Sequence, residues 1–467
     1  FVRWVPPKLF RSFKSKMAIV NIVKFFSDLR IILLLAAGVF IYIQMRIFTT
    51  QSEYADQLST SVKSKNHCKS QLRLLIDQIG TQQGQIMALE ETMKKQDLEC
   101  EQLRAIVQDL ERKGVQKWIN NVKVPVAAVV VMACNRADYL ERTVNSVLKY
   151  QTSISSKFPL FISQDGSDPA VRSMALSYDQ LTYMQHLNFE PVHTERPGEL
   201  IAYYKIASHY KWALDELFYK QNFSKVIILE DDMEIAPDFF DYFEATSTLL
   251  DSDKSIMAIS SWNDNGQKQF VHDPSILYRS DFFPGLGWML SNSTWNELSS
   301  KWPKAYWDDW LRLKENHIGR QFIRPEICRT YNFGEHGSSL GQYFKRYLEP
   351  IKLNDAEIDW KSMDLSYLWE DKYARRFASI VKSARPVHGM DAVLKAYNID
   401  GDVRIDYRDE HDFGRIAQQF GIFEEWKDGV PRTAYKGVVV FRFQTSRRVF
   451  LVGPDSLKQL EIVDARH

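Results

Sequence analysis

The apolar run Val226-Ile227-Ile228-Leu229 ends without any spacer in Glu230-Asp231-Asp232. A run so short and so apolar predicts a buried strand, and the triplet then concentrates negative charge at the carboxyl edge of a sheet. Ligands of open α/β sheets bind at that edge. Adjacent carboxylates repel one another unless a cation or hydrogen-bond donors neutralise them. Hard divalent cations prefer carboxylate oxygens and can bridge to the phosphates of a bound nucleotide. The same triplet also reads as a solvated acidic turn, because Ala236-Pro237-Asp238 predicts the start of a helix close behind it.

The preceding segments extend the sheet. Residues 126–133, 159–163 and 181–184 predict further strands, and residues 137–150 and 202–219 carry helical spacing. Strands alternating with helices predict a parallel or mostly parallel sheet in an α/β layered core. Two of these strands run into Cys134-Asn135-Arg136 and Gln164-Asp165, so one sheet edge gathers a guanidinium, a carboxylate and the triplet. Arg136 suits a phosphate or Asp165, and Asp165 suits a base or a ribose; each alone also reads as a surface or capping residue. No strand leads into GxGxxG or GxxxxGK, so a nucleotide here would be held by side chains and a metal.

Residues 301–310 read KWPKAYWDDW and set Asp308 and Asp309 among Trp302, Tyr306, Trp307 and Trp310. Rings beside carboxylates are a common way to hold sugars, and burial against rings raises a carboxyl toward the pKa of a working base. The alternative is a helix cap beside an aromatic core cluster.

Charge narrows the classes: 60 Lys and Arg against 59 Asp and Glu give no sign of a nucleic-acid partner. Four cysteines in 467 residues exclude a disulfide scaffold. Residues 31–43 are an unbroken apolar run with Lys24 and Arg30 before it and Gln44-Met45-Arg46, not a cleavage site, after it. That pattern predicts an uncleaved anchor whose basic flank stays cytoplasmic. The chain begins with Phe, and Met17 is the expected natural start. Beyond the anchor, Leu72, Ile79, Ile86, Met93, Cys100 and Val107 recur every seven residues. A second row of Leu75, Gln82, Leu89, Gln96, Leu103 and Leu110 completes the seam of a coiled coil over about 72–110. Cys68 and Cys100 on that seam predict interchain disulfides and a homodimer; a single solvated helix is the alternative.

The motifs VIILEDDMEIAPDFFDYF, SSWNDNG, YRSDFFPGLGW and KWPKAYWDDW are long and specific. Through them the chain after about Lys123, and its anchor and stem, resemble the N-acetylglucosaminyltransferase I family, plant members in particular. The resemblance implies a GT-A type nucleotide-sugar-binding sheet flanked by helices at 123–400 and a small C-terminal α+β subdomain at 401–467. That subdomain would hold a hairpin of strands 438–443 and 449–452 around Thr445-Ser446-Arg447-Arg448. Ahead of it would lie a cytoplasmic segment 1–30, a signal-anchor 31–48 and a stem 49–122, with the bulk of the chain in the Golgi lumen.

The activity implied is inverting transfer of N-acetylglucosamine from UDP-GlcNAc, with Mn²⁺, in β1,2 linkage to the α1,3-linked mannose of a high-mannose N-glycan. Matched position by position, Arg136, Asp165, His209, Asp231 and Ser339 would hold the donor, with Glu230 orienting it. Asp232 would be the one direct metal ligand and Asp308 the catalytic base. His209 taken from the sequence alone reads as structural. The family's animal disulfides would fall at positions occupied here by Cys134, Gly166, Ala258 and Phe322, so neither bridge can form. Two other readings compete: a sister transferase acting on O-linked mannose, and a coiled-coil tether or glycan-binding protein with an inactive transferase fold.

Overall fold

The computed structural model describes residues 29–118, 124–188, 190–338, 341–388, 401–443 and 446–461. Met17, most of the expected cytoplasmic segment, Ser339 and Thr445 lie outside the described residues. Residues 1–121 and 122–467 form two compact units. In the first, Leu29–Trp118 is one helix of 90 residues that runs through Gly80 and Gly84 without a break. Within it lies a stretch long and apolar enough to cross a membrane. The seam side chains Leu72, Ile79, Ile86 and Met93 are exposed, as are the free thiols of Cys68 and Cys100.

The second unit is mixed α/β around a central sheet. Its strands are β1 (Ala128–Ala133), β2 (Leu160–Asp165), β3 (Leu181–His186), β4 (Lys225–Glu230), β5 (Met233–Ile235), β6 (Ile256–Ser260), β7 (Leu277–Ser280), β8 (Trp288–Ser291), β9 (Gln321–Pro325) and β10 (Thr330–Asn332). Eight of them form one sheet in the order β3-β2-β1-β4-β8-β6-β9-β7, while β5 and β10 pair separately. The first four are parallel, and β8 joins β4 antiparallel. Strands β2 and β3 run two residues beyond their apolar stretches, because Asp165 and His186 continue the ladder as register partners.

Alternation sorts each central strand between two cores. Val129, Val131 and Ala133 of β1 face Leu140, Val144 and Val147 of the helix Ala137–Gln151. Ala128, Val130 and Met132 face Ala207, Tyr210 and Leu214 of the helix Ile201–Asp215. Both faces are covered, which is why these strands are continuously apolar. Each fully buried aliphatic side chain contributes about 1.5–3 kcal/mol by leaving water. Ala258 and Phe322, where the resemblance would set a disulfide, are register partners buried in the second of these cores.

Residues Arg385–Pro386, Val403–Asp406, Arg448–Val452 and Val438–Arg442 make a four-stranded sheet. Val438, Val440, Phe450 and Val452 on one face join the main core, and Val439, Phe441, Val449 and Leu451 on the other build a core of their own. The join is fastened by charge. Arg442 donates to Glu326 at 3.0 and 3.2 Å from Nε and at 3.0 Å from Nη2, both side chains being buried. Glu326 also accepts from the Tyr278 hydroxyl and from the backbone of His272 and Asp273. Replacing Arg442 by Met strands a buried carboxylate and is expected to cost about 3–5 kcal/mol in urea unfolding followed by tryptophan fluorescence. Adding Glu326→Gln should restore much of that loss; a single-variant loss below about 1 kcal/mol would mean that water already reaches the pair.

Candidate active site

The strand order reverses between β1 and β4, since the chain winds outward from β1 to β3 and then returns to the other side of β1. A crevice opens at such a switch point at the carboxyl ends. Arg136 follows β1 and Asp231-Asp232 follow β4, so the order of strands alone brings them together. The Arg136 guanidinium reaches both carboxylates: Nη2 donates to Asp231 Oδ1 and, at 2.8 Å, to Asp232 Oδ2. Its Nη1 donates to the His336 carbonyl at 2.7 Å. Asp232 Oδ1 accepts from Asn332 Nδ2 at 2.8 Å. Thr143 pins the turn from below, donating to the Asp231 carbonyl and accepting from Met233 N–H.

The charge is only partly balanced. Burial, then Asp232, pushes Glu230 up to about 7, although the Tyr210 hydroxyl donating to it at 2.7 Å works the other way. Burial pushes Asp231 up to about 6 against the pull of Arg136. For Arg136 burial disfavours the charge, but Asp231 and Asp232 outweigh it and hold the guanidinium above its usual range.

The donor set fits a hard cation of the kind that takes one or two protein carboxylates and completes its shell with water and substrate oxygens. Among the described residues no group of three His, Cys, Asp or Glu is arranged to hold a metal unaided. Space beside Asp232 is kept by Gly334, where an added Cβ would stand 2.1 Å from Asp232 Oδ2. A groove of about 680 Å³ lined by Asp138, Arg142, Asn145 and Glu234 contains none of the predicted site residues.

Asp165 does not pair with Arg136. Its Oδ1 meets His186 Nδ1 at 2.8 Å, and the His186 ring stacks on His209 with centroids 5.6 Å apart and planes at 9°. His209 Nε2 bonds Ser163 Oγ at 2.8 Å. His186, Tyr210, Asn332 and Gly334 escaped the sequence reading. His186 could have been found by carrying the strand-end argument on to β3, and Tyr210 by its place beside His209. Asn332 and Gly334 arrive from β10 and its exit, far along the chain, and carry no local signal.

The fold corrects the tryptophan part of the aromatic platform expected around Asp308. Trp307 is buried between Tyr210, Trp288 and Trp302, and Trp302 and Trp310 pack against the same core. The tryptophans build the wall behind the carboxylates. Asp308 and Asp309 are not buried against rings, their side chains being 40% and 41% exposed. Asp309 goes the opposite way to the expectation: burial raises it, but Arg312 and Lys427 hold it below the usual carboxylate range. Buried Arg312, four residues after Asp308, donates from Nη1 to Asp308 Oδ2 and Asp309 Oδ1, both at 3.0 Å. Asp308 Oδ1 accepts no hydrogen bond among the described residues. Cys134 is free and exposed, and Cys328 is free and buried.

Burial lowers His209 to about 3 from an ordinary 6.5, so between those values the unfolded chain binds a proton that the folded ring refuses. Stability from neutral His209 is therefore complete above about 6.5 and is lost as pH falls, by roughly 1 kcal/mol per unit. Wild type should lose stability relative to His209→Gln between pH 7 and 5 in parallel urea titrations; parallel curves would place water at the ring.

The GNT-I family profile matches residues 34–464. An Arabidopsis thaliana protein named alpha-1,3-mannosyl-glycoprotein 2-beta-N-acetylglucosaminyltransferase is 71% identical over 435 residues, 93% of this chain and 98% of its own. Among solved structures, the Pyrobaculum calidifontis mannosyltransferase PcManGT, in complex with GDP-Man and Mn²⁺, is 17% identical with TM-score 0.30 over 47% of this chain and 63% of its own. S. aureus TarS with UDP-GlcNAc is 12% identical with TM-score 0.30 over 55% of this chain and 67% of its own. Overlaps that loose carry no argument. The profile spans nearly the whole chain and the Arabidopsis relative covers 93% of it: the chain belongs to the GNT-I family.

Proposed function

We propose that this chain transfers N-acetylglucosamine from UDP-GlcNAc, with inversion, in β1,2 linkage to the α1,3-linked mannose of a high-mannose N-glycan. The Arabidopsis relative's name supports the reaction and its acceptor. The observation that carries the chemistry is the stance of Asp308. It is gripped through Oδ2 by buried Arg312, leaves Oδ1 open, and stands next to Trp307, which stacks on the Tyr210 that holds Glu230. A general base needs that combination of fixed position and one free oxygen.

In this reading Asp165 and His209 take the base end of the donor, Asp231 the ribose, and Arg136 the diphosphate. Ser339 would contact the phosphate, as the resemblance to the family implies. A divalent cation, Mn²⁺ by resemblance to the family, supplies charge stabilisation on the departing diphosphate when bound at Asp232. Asp308 Oδ1 takes the proton from the mannose 2-hydroxyl as that oxygen bonds to the anomeric carbon. The bond from that carbon to the diphosphate breaks on the opposite face, and UDP leaves with the electron pair. Glu230, fixed by Tyr210, orients the donor sugar. The apolar helix after Arg30 would anchor the chain once in the Golgi membrane, catalytic unit in the lumen.

Asp308→Asn should lower transfer by about 10²–10⁴-fold and leave donor affinity within about twofold. Normal turnover in that variant removes the base assignment. Gly334→Ala, which pushes a methyl into Asp232, should abolish Mn²⁺-dependent UDP-GlcNAc binding as completely as Asp232→Ala does. Calorimetric titrations that keep their Mn²⁺ dependence in both variants would move the cation site elsewhere.

A further inference from the structure

With Trp307 in the core, one aromatic pair beside Asp308 stays half-buried at the edge of the site. Tyr203 and Tyr210 sit seven residues apart on the helix Ile201–Asp215, so they share a face about 10 Å apart along its axis. Each stacks on one of two consecutive residues: Tyr210 on Trp307 at 4.5 Å, and Tyr203 on Tyr306 at 4.6 Å with the planes at 24°. Asp308 comes next in the chain. The Tyr210 end of this row runs into Glu230 and the donor carboxylates. The Tyr203 end opens to solvent beside Leu200, Ile201 and Tyr343, which are 47%, 51% and 47% exposed.

Tyr306 is held there against its own preference. Its backbone is left-handed, φ 50° and ψ 47°, a conformation costing a bulky residue about 1–2 kcal/mol. Its hydroxyl accepts from Leu200 N–H at 3.3 Å, which ties it to the start of the helix carrying Tyr203. Strain of this kind collects where a side chain must be aimed. Burial first, then the charges of Asp308, the Tyr306 and Tyr343 phenols and Asp309, raise the Tyr203 phenol, as expected if its hydroxyl faces that group.

We propose that the stacked Tyr203–Tyr306 pair is the platform on which the acceptor hexose lies while its hydroxyl reaches Asp308. This rests on the transferase reading above. The C–H face of a hexose is apolar with positive edges and complements the negative face of an aromatic ring, while the hydroxyl rim turns to the carboxylate. The donor occupies the Glu230 end of the row, so the acceptor approaches from the Tyr203 end, opposite the leaving group.

The test uses full-length protein in detergent, with UDP and Mn²⁺ in place of the donor so that no turnover occurs, and measures affinity for a free five-mannose N-glycan. Tyr203→Leu keeps apolar bulk without the ring. Tyr306→Gly removes the ring, and relief of the left-handed strain offsets part of the packing it loses. Each should weaken glycan binding about tenfold while leaving affinity for UDP with Mn²⁺ unchanged, and Tyr203→Phe should recover most of the loss. Wild-type glycan affinity in both Tyr203→Leu and Tyr306→Gly, or no glycan binding by wild type, overturns the platform. Transfer from UDP-GlcNAc is scored separately. Glycan bound through the tyrosines without any β1,2 product would sink the transferase reading and leave the platform standing.

Discussion

Negative charge at the end of β4 is the constraint around which the catalytic unit is arranged. Three neighbouring carboxylates in a half-dry crevice cannot all ionise unless positive charge is brought to them, and the protein brings one guanidinium from the end of β1. Arg136 can do this only because β1 and β4 are adjacent, parallel and in register, with Met132 opposite Glu230. The remaining supports come from every side: Thr143 from below, Asn332 from β10 and Tyr210 from the covering helix. The excess charge left over, with the room that Gly334 keeps open, is what suits the place to a cation and a diphosphate.

A second arrangement carries this site to the proposed base. Tyr210 touches Glu230 through its hydroxyl and Trp307 through its ring, so one side chain spans the distance between the triplet and the WDDW segment. Arg312 then fixes both carboxylates of that segment. Lys427, on the far C-terminal part of the chain, grips Asp309 at 3.1 Å. The C-terminal residues therefore do more than extend the fold, and the Glu326–Arg442 pair holds them to the sheet that positions everything else.

Much of this was legible in the residues. The four parallel strands announced themselves by apolar runs, and the polar tails of β1, β2 and β4 pointed to one edge, because a parallel sheet places all carboxyl ends together. Where reading failed, partner choice was the reason. Asp165 was open to Arg136 by charge alone, but His186 is its register partner on β3 and meets its carboxylate at 2.8 Å, while Arg136 goes to Asp231 and Asp232. The tryptophans of KWPKAYWDDW looked like a sugar platform because composition does not say which side of a short helix faces inward. Packing against Tyr210 and Trp288 decided that Trp307 faces the core, with Trp302 and Trp310 half-buried against it.

The sequence by itself determined the layered α/β core, the acidic strand end and the apolar helix near the N-terminus. Each of those is written in local periodicity and in the chemistry of consecutive residues. Only the tertiary structure decided that Arg136 neutralises Asp231 and Asp232, that Gly334 guards Asp232, and that Asp308 keeps one oxygen free. The first two join residues about a hundred positions apart, and the third turns on which neighbours reach Asp308 besides Arg312. No local pattern records such contacts, because they follow from strand order and from which side chains compete for the same buried charge.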